Sequence, residues 1–252
     1  MAFLGTILGI WAHPDDETYL SAGLMARATF NGSRVVVAMA TRGEAGSPDP
    51  EKWPPEEIAR IRGQELIAAL DVVGVVELLW LGHEDGQCQW ADFEEAVGKL
   101  TGIIEAVQPD TVLTFPPDGL TGHLDHQAVA TWATEAFQRA AKMGAKLYYA
   151  TVTPESLSEM SDELRSVVFE PGLPKPTPRE FLAIDFEIPA DLMKQKQKAI
   201  RCHASQVTKF FEAYGEETLL ALNHAEMFKL ALEQRLSVSC SRPAAPSTRT
   251  DP

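Results

Sequence analysis

Short continuous apolar runs, rich in β-branched residues, alternate along this chain with longer stretches of helical period. The run at 34–40 (RVVVAMA) shows the constraint most clearly. A strand apolar on both faces must be covered on both faces, and a parallel sheet built from βαβ units provides that cover. Runs at 3–11, 34–40, 75–81, 111–115 and 146–152 are predicted as strands. Stretches at 18–30, 56–73, 93–107 and 125–143 have helical spacing, with Ile58, Ile61, Leu66 and Leu70 on one stripe of the second. Residues 171–178 (PGLPKPTP) read as a loop, 181–188 as an edge strand, and 191–236 as one or two helices broken near Gly215. The expected fold class is α/β: a Rossmann-like three-layer sandwich with a mostly parallel central sheet. One domain over 1–236 is expected. The Ser/Pro-rich segment 237–252 is aperiodic and is expected to be a disordered tail.

Charge and cysteine usage narrow the partners. Lys and Arg total 22 against 36 Asp and Glu, a net charge of −14. That balance argues against a nucleic-acid backbone or an anionic membrane surface as partner. The three cysteines form no C-x-x-C pair, which fits a reducing, cytoplasmic compartment. The opening MAFLGTILGIWA lacks a basic flank and reads as a buried first strand, not a signal peptide. Dinucleotide, P-loop, nucleophile-elbow and H-E-x-x-H signatures do not occur.

Two polar clusters interrupt this pattern. His13-Pro14-Asp15-Asp16-Glu17 follows the first strand, and His123-Leu124-Asp125-His126 follows the fourth. In an open doubly wound sheet, ligands bind beyond the carboxyl ends of the strands where the strand order reverses. With the order 3-2-1-4-5, strands 1 and 4 are neighbours there and the clusters face one crevice. Two imidazoles and a carboxylate with open positions make a catalytic metal site, suited to zinc and equally to Fe(II). Each cluster alone also reads as helix capping, with Asp15, Asp16 or Asp125 as caps. Arg42 and Glu44, in a Gly-flanked turn, and Asp85, after the third strand, are candidate substrate contacts.

The HPDDE element and the later G-H-x-D-H element together resemble the LmbE-like (PIG-L) metal-dependent N-deacetylases. Arg42-Gly43-Glu44-Ala45-Gly46, Arg62-Gly63-Gln64-Glu65 and a late element ending His203-Ala204-Ser205-Gln206 match further family motifs in the same order. The resemblance spans roughly residues 5–206. It implies hydrolysis of an N-acyl group, acetyl above all, from an amino sugar or glycoconjugate, with an amidase for thiol-cofactor conjugates as the alternative. It implies a zinc site, with Fe²⁺ as the alternative, held by His13, Asp16 and His126. It further implies Asp15 as general base, His123 as acid and oxyanion stabiliser, Asp125 as the residue orienting His123, and Arg62 as a substrate contact. A small-molecule substrate is the implied partner, and a homo-oligomer is compatible with it. Leu124 departs from the usual Pro, and Thr121 stands where some members carry Tyr, which puts a second oxyanion donor there in doubt. An Fe(II) oxidative enzyme or a non-catalytic sugar-binding module are the readings of another class. Asp15 and His123, spare beside the ligands, speak for hydrolysis over both.

Overall fold

The computed structural model describes residues 4–235. The segment 237–252, expected to be a tail, lies outside the described residues. Seven strands form one sheet: β1 (Ile7–Trp11), β2 (Val35–Met39), β3 (Glu77–Trp80), β4 (Thr111–Thr114), β5 (Lys146–Thr151), β6 (Ile184–Glu187) and β7 (Ala225–Glu233). Their order is β3-β2-β1-β4-β5-β7-β6. The first five strands are mutually parallel, and β7 runs antiparallel between β5 and β6. Every residue of β1, β2 and β4 is buried, as their unbroken apolar composition requires.

The crossover helices cover both faces. They are α1 (Asp16–Phe30), α2 (Pro55–Val72), α3 (Phe93–Val107) and α4 (Leu124–Ala140). After the sheet's parallel half come α5 (Pro154–Ser158), α6 (Asp162–Val168), α7 (Ala190–Cys202), α8 (Ala204–Tyr214) and α9 (Glu216–Ala221). Helix α7 packs on α1 and α2, while α3 and α4 pack together. The chain steps from β1 outward through β2 to β3, then returns to β4 and proceeds the other way. With right-handed crossovers, that reversal puts α1 and α2 on one face and α3 and α4 on the other.

The end of the chain corrects the helical reading of 191–236. The last strand, β7 (AEMFKLALE), is built from good helix formers, so its composition argues for helix. The open edge of β5 wins instead, with Tyr149 paired to Lys229 and Thr151 to Met227. The helices α5 and α6 were not visible in the sequence either.

Candidate metal centre and active site

The first cluster turns sharply out of β1. The Asp16 N–H donates to the His13 carbonyl at 3.2 Å, and the His13 N–H donates to Asp16 Oδ2 at 2.7 Å. Between them Asp15 has φ 124°. The second cluster follows β4. There His123 caps α4, its Nδ1 accepting the Asp125 N–H at 3.2 Å. That bond requires a lone pair on Nδ1 and leaves Nε2 of the neutral ring to carry the proton. His126 Nδ1 lies 3.1 Å from the Gly119 carbonyl and 3.2 Å from Thr121 Oγ1. The carbonyl can only accept, so Nδ1 is the protonated nitrogen and Nε2 is the free one. The ring stacks on Phe115 at 4.1 Å between centroids.

Because β1 and β4 are adjacent, these groups converge. His13 Nδ1 and His126 Nε2 lie 3.2 Å apart; Asp16 Oδ2 lies 3.6 Å from the first and Asp16 Oδ1 3.4 Å from the second. The outer nitrogen of His13, Nε2, meets Asp85 Oδ1 at 2.9 Å and Asp125 Oδ2 at 3.2 Å. Its proton belongs there, which leaves Nδ1 as a lone pair facing His126 and Asp16. Metal–nitrogen bonds of about 2.0–2.1 Å in a tetrahedron put ligand atoms about 3.3 Å apart. The two imidazole nitrogens have that spacing and Asp16 turns one carboxylate oxygen toward each, so a divalent ion between His13 and His126 would have the Asp16 carboxylate beside it. His123 is near enough to join His13 and His126 in a group of possible ligands. Carboxylates behind a ligating imidazole fix its ring and tautomer.

Burial and charge set the titration of these groups. Burial works against an ionised Asp16, but His126 and His13 hold its carboxylate well below the usual range. Burial, helped by the neighbouring His13 and His123 against the pull of Asp16, leaves His126 pushed down to about 4. Burial also opposes a charged His13, yet Asp125, Asp16 and Asp85 raise it above the ordinary value. Asp85 is brought down to about 2, because His13 outweighs the effect of burial. Asp15 behaves differently: burial pushes it up to about 7 although Arg62 pulls the other way. Its side chain keeps 20% of its exposure.

Several expected placements differ in the structure. The Asp125 carboxylate does not meet His123. It faces His13 and accepts the Gly86 and Cys88 N–H groups at 2.7 and 3.1 Å, from the first turn of α4. Asp85 is buried on His13 and accepts the Ala45 N–H at 2.9 Å, so it is not an open substrate contact. Arg62 is only 4% exposed. Its guanidinium donates to the Gly43 and Pro14 carbonyls and reaches Asp15 Oδ2 at 3.3 Å. Glycine is required at 43, where φ is +69° and a Cβ would strike that guanidinium. Glu44 accepts the Arg42 and Asp85 N–H groups, while exposed Arg42 lies 4.3 Å over the Trp80 ring. Of the expected contacts, Arg42 alone is exposed. Sequence reasoning left Glu17 without a role, although its position in HPDDE was a signal.

The PIG-L family, described as GlcNAc-PI de-N-acetylase, matches residues 8–137, half of the chain. The chain belongs to the PIG-L family. Similarity to individual PIG-L relatives extends further. The 1D-myo-inositol 2-acetamido-2-deoxy-alpha-D-glucopyranoside deacetylase of Mycobacteroides abscessus is 30% identical over 79% of this chain and 80% of its own length. The N,N'-diacetylchitobiose deacetylase of Pyrococcus horikoshii shares the fold, with TM-score 0.63 at 23% identity over 90% of this chain and 83% of its own. GalB, the 4-carboxy-2-hydroxymuconate hydratase of Pseudomonas putida KT2440, shares it too, with TM-score 0.59 at 15% identity over 98% of this chain and 100% of its own. A fold found in a hydratase as well as in a deacetylase leaves the reaction to be argued from the site. No described helix is long and apolar enough to cross a membrane.

Proposed function

We propose that this PIG-L chain is a metal-dependent N-deacetylase that hydrolyses the acetamide of an N-acetylglucosaminyl conjugate. The observation that carries this reading is the convergence of His13 and His126, 3.2 Å apart, with one Asp16 oxygen turned to each and the His123 ring packed on both imidazoles. His13, Asp16 and His126 hold zinc, with ferrous iron as the alternative the same donors accept. A bound ion there lowers the pKa of its water and polarises the acyl oxygen.

Asp15 takes a proton from the attacking water as the water oxygen bonds to the acyl carbon. Being raised to about 7, its carboxyl can both accept that proton and release it near neutrality. His123 presents Nε2–H to the developing oxyanion and holds it by that hydrogen bond. Asp15 passes the water's proton to the departing nitrogen as the carbon–nitrogen bond breaks, and acetate and a free amine leave. Burial first, and then the His13 charge, lower His123, which favours the neutral ring as hydrogen-bond donor.

The substrate class is supported by the relative that acts on an inositol-linked 2-acetamido sugar. The test is acetate release from N-acetylglucosaminyl-inositol, N-acetylglucosamine and diacetylchitobiose, with Zn²⁺ or Fe²⁺ restored to metal-free enzyme. Asp15→Ala and His123→Ala are each expected to keep the metal and lose about 10²–10⁴-fold in turnover. Full turnover by Asp15→Ala removes it from the mechanism. Absence of turnover on every N-acetyl sugar, with metal bound, overturns the reading.

A further inference from the structure

The late element at 203–206 has no part in the chemistry above, yet it reaches the first cluster. His203, at the junction of α7 and α8, is 1% exposed and lies against the first turn of α1. Its Nε2 is 3.1 Å from Thr18 Oγ1 and 3.3 Å from Glu17 Oε1. The Thr18 hydroxyl donates to the same Glu17 oxygen. Glu17 is fully buried, and its other oxygen accepts the Asp15 N–H at 3.0 Å. The Glu17 carboxylate is thus held from one side by His203 and Thr18 and holds the Asp15 peptide on the other.

That peptide needs holding. Asp15 has φ 124°, a conformation an L residue keeps only where its surroundings impose it. Its carbonyl accepts the Thr18 and Tyr19 N–H groups at 2.9 and 3.0 Å, as a helix start does. Its N–H would otherwise be free, and Glu17 is the group that captures it. The strained angle has a use. Consecutive side chains diverge by about 100° on a helix and about 180° on a strand, so regular backbone cannot aim neighbours at one site. A turn with positive φ between His13 and Asp16 can.

Resting on the reading of Asp15 as base, we infer that Glu17 and His203 are positioning residues for Asp15. Glu17 locks the Asp15 peptide in its strained angle, and His203 locks Glu17. Neither touches substrate.

The test compares kcat, KM and metal content of the metal-loaded enzyme. Glu17→Met keeps the side-chain length without the acceptor. It is expected to lose about 10²-fold in kcat, with KM within about threefold and full metal content, as displacement of a catalytic group does. Glu17→Gln keeps an acceptor for the Asp15 N–H and is expected to regain most of that loss. Where Glu17→Met does not fold, hydrogen exchange at the Asp15 amide gives the second reading. It is expected to be protected in the wild type and at least about tenfold faster in His203→Gln. Wild-type kcat in Glu17→Met overturns the inference. So does a Glu17→Gln enzyme as impaired as Glu17→Met, or a wild-type Asp15 amide that exchanges as in a free peptide. Asp15→Ala separates the two claims. Activity in that variant overturns the base assignment, whereas an inactive Asp15→Ala beside a fully active Glu17→Met overturns the positioning alone.

Discussion

At the scale of single residues, His13 is gripped from behind by two carboxylates, Asp85 at 2.9 Å and Asp125 at 3.2 Å. Asp85→Ala removes the shorter contact and frees the ring to rotate or exchange tautomer. Loss of such an outer partner costs about 10–100-fold in metal affinity. A competition titration of metal-free protein against a chromophoric chelator is expected to read that loss, with His13→Ala losing the site altogether. An unchanged affinity in Asp85→Ala would assign the whole grip to Asp125. His13, Asp16 and His126 could be proposed from sequence because each sits in a short motif whose spacing is a local matter. The sequence did not carry the partners of His13. Asp85 reaches that ring only because the 86–88 backbone folds over Asp125, with Gly86 and Cys88 donating to its carboxylate. Such contacts join residues about forty apart, and no periodicity reports them.

At the scale of elements, the same limit explains β7 and a buried ion pair that joins three of them. Lys196 on α7 and Glu226 on β7 are both fully buried and lie 2.8 Å apart. Lys196 donates to the Tyr19 carbonyl at 2.7 Å, and Glu226 accepts the Gly23 and Leu24 N–H groups at 2.7 Å each. The pair thereby serves the backbone of α1 in the middle of the helix. Gly23 permits that approach, since a Cβ there would meet Glu226 Oε1 at 3.3 Å and Ile188 at 3.0 Å. Alternating strand and helix runs disclosed the five parallel strands, whose signal is unbroken apolar sequence. In contrast, β7 depends on β5 for a partner and on Glu226 for its anchorage, so its composition misleads. Lys196→Met leaves a buried carboxylate uncompensated and is expected to cost about 3–5 kcal/mol. Urea unfolding of metal-free protein measures it. Adding Glu226→Gln is expected to cost much less than the sum of the single changes, because the two residues share one interaction. Strict additivity would mean that each holds α1 independently.

At the scale of the whole molecule, the switch between β1 and β4 puts the two polar clusters together, and the strand order 3-2-1-4-5 was legible because it is the usual solution for this alternation. What was not legible is how the helices on one face are tied to that switch. His203 supplies such a tie, from the α7–α8 junction to the start of α1, with Ser205 beside it donating to Glu65 of α2 at 2.6 and 2.8 Å. Burial by itself would lower His203, but the hydrogen bond and charge of Glu17, helped by Asp15 and Glu65, raise it above its ordinary 6.5. Asp15, pushed up to about 7, gains charge over the same range and supports the protonated ring further. The folded state therefore holds a proton that the unfolded chain has already released. Where the folded state binds more protons, stability falls as pH rises. The His203 contribution is complete below 6.5 and is lost as pH climbs through the raised folded value. Unfolding of metal-free wild type and His203→Gln between about pH 6 and pH 9 isolates it, since groups unaffected by the substitution cancel in the difference. The stability gap between the two proteins is expected to be widest at the acid end and to shrink steadily toward alkaline pH. A gap that widens with pH would mean that His203 is held neutral in the fold, and the tie to Glu17 would then be a hydrogen bond without charge.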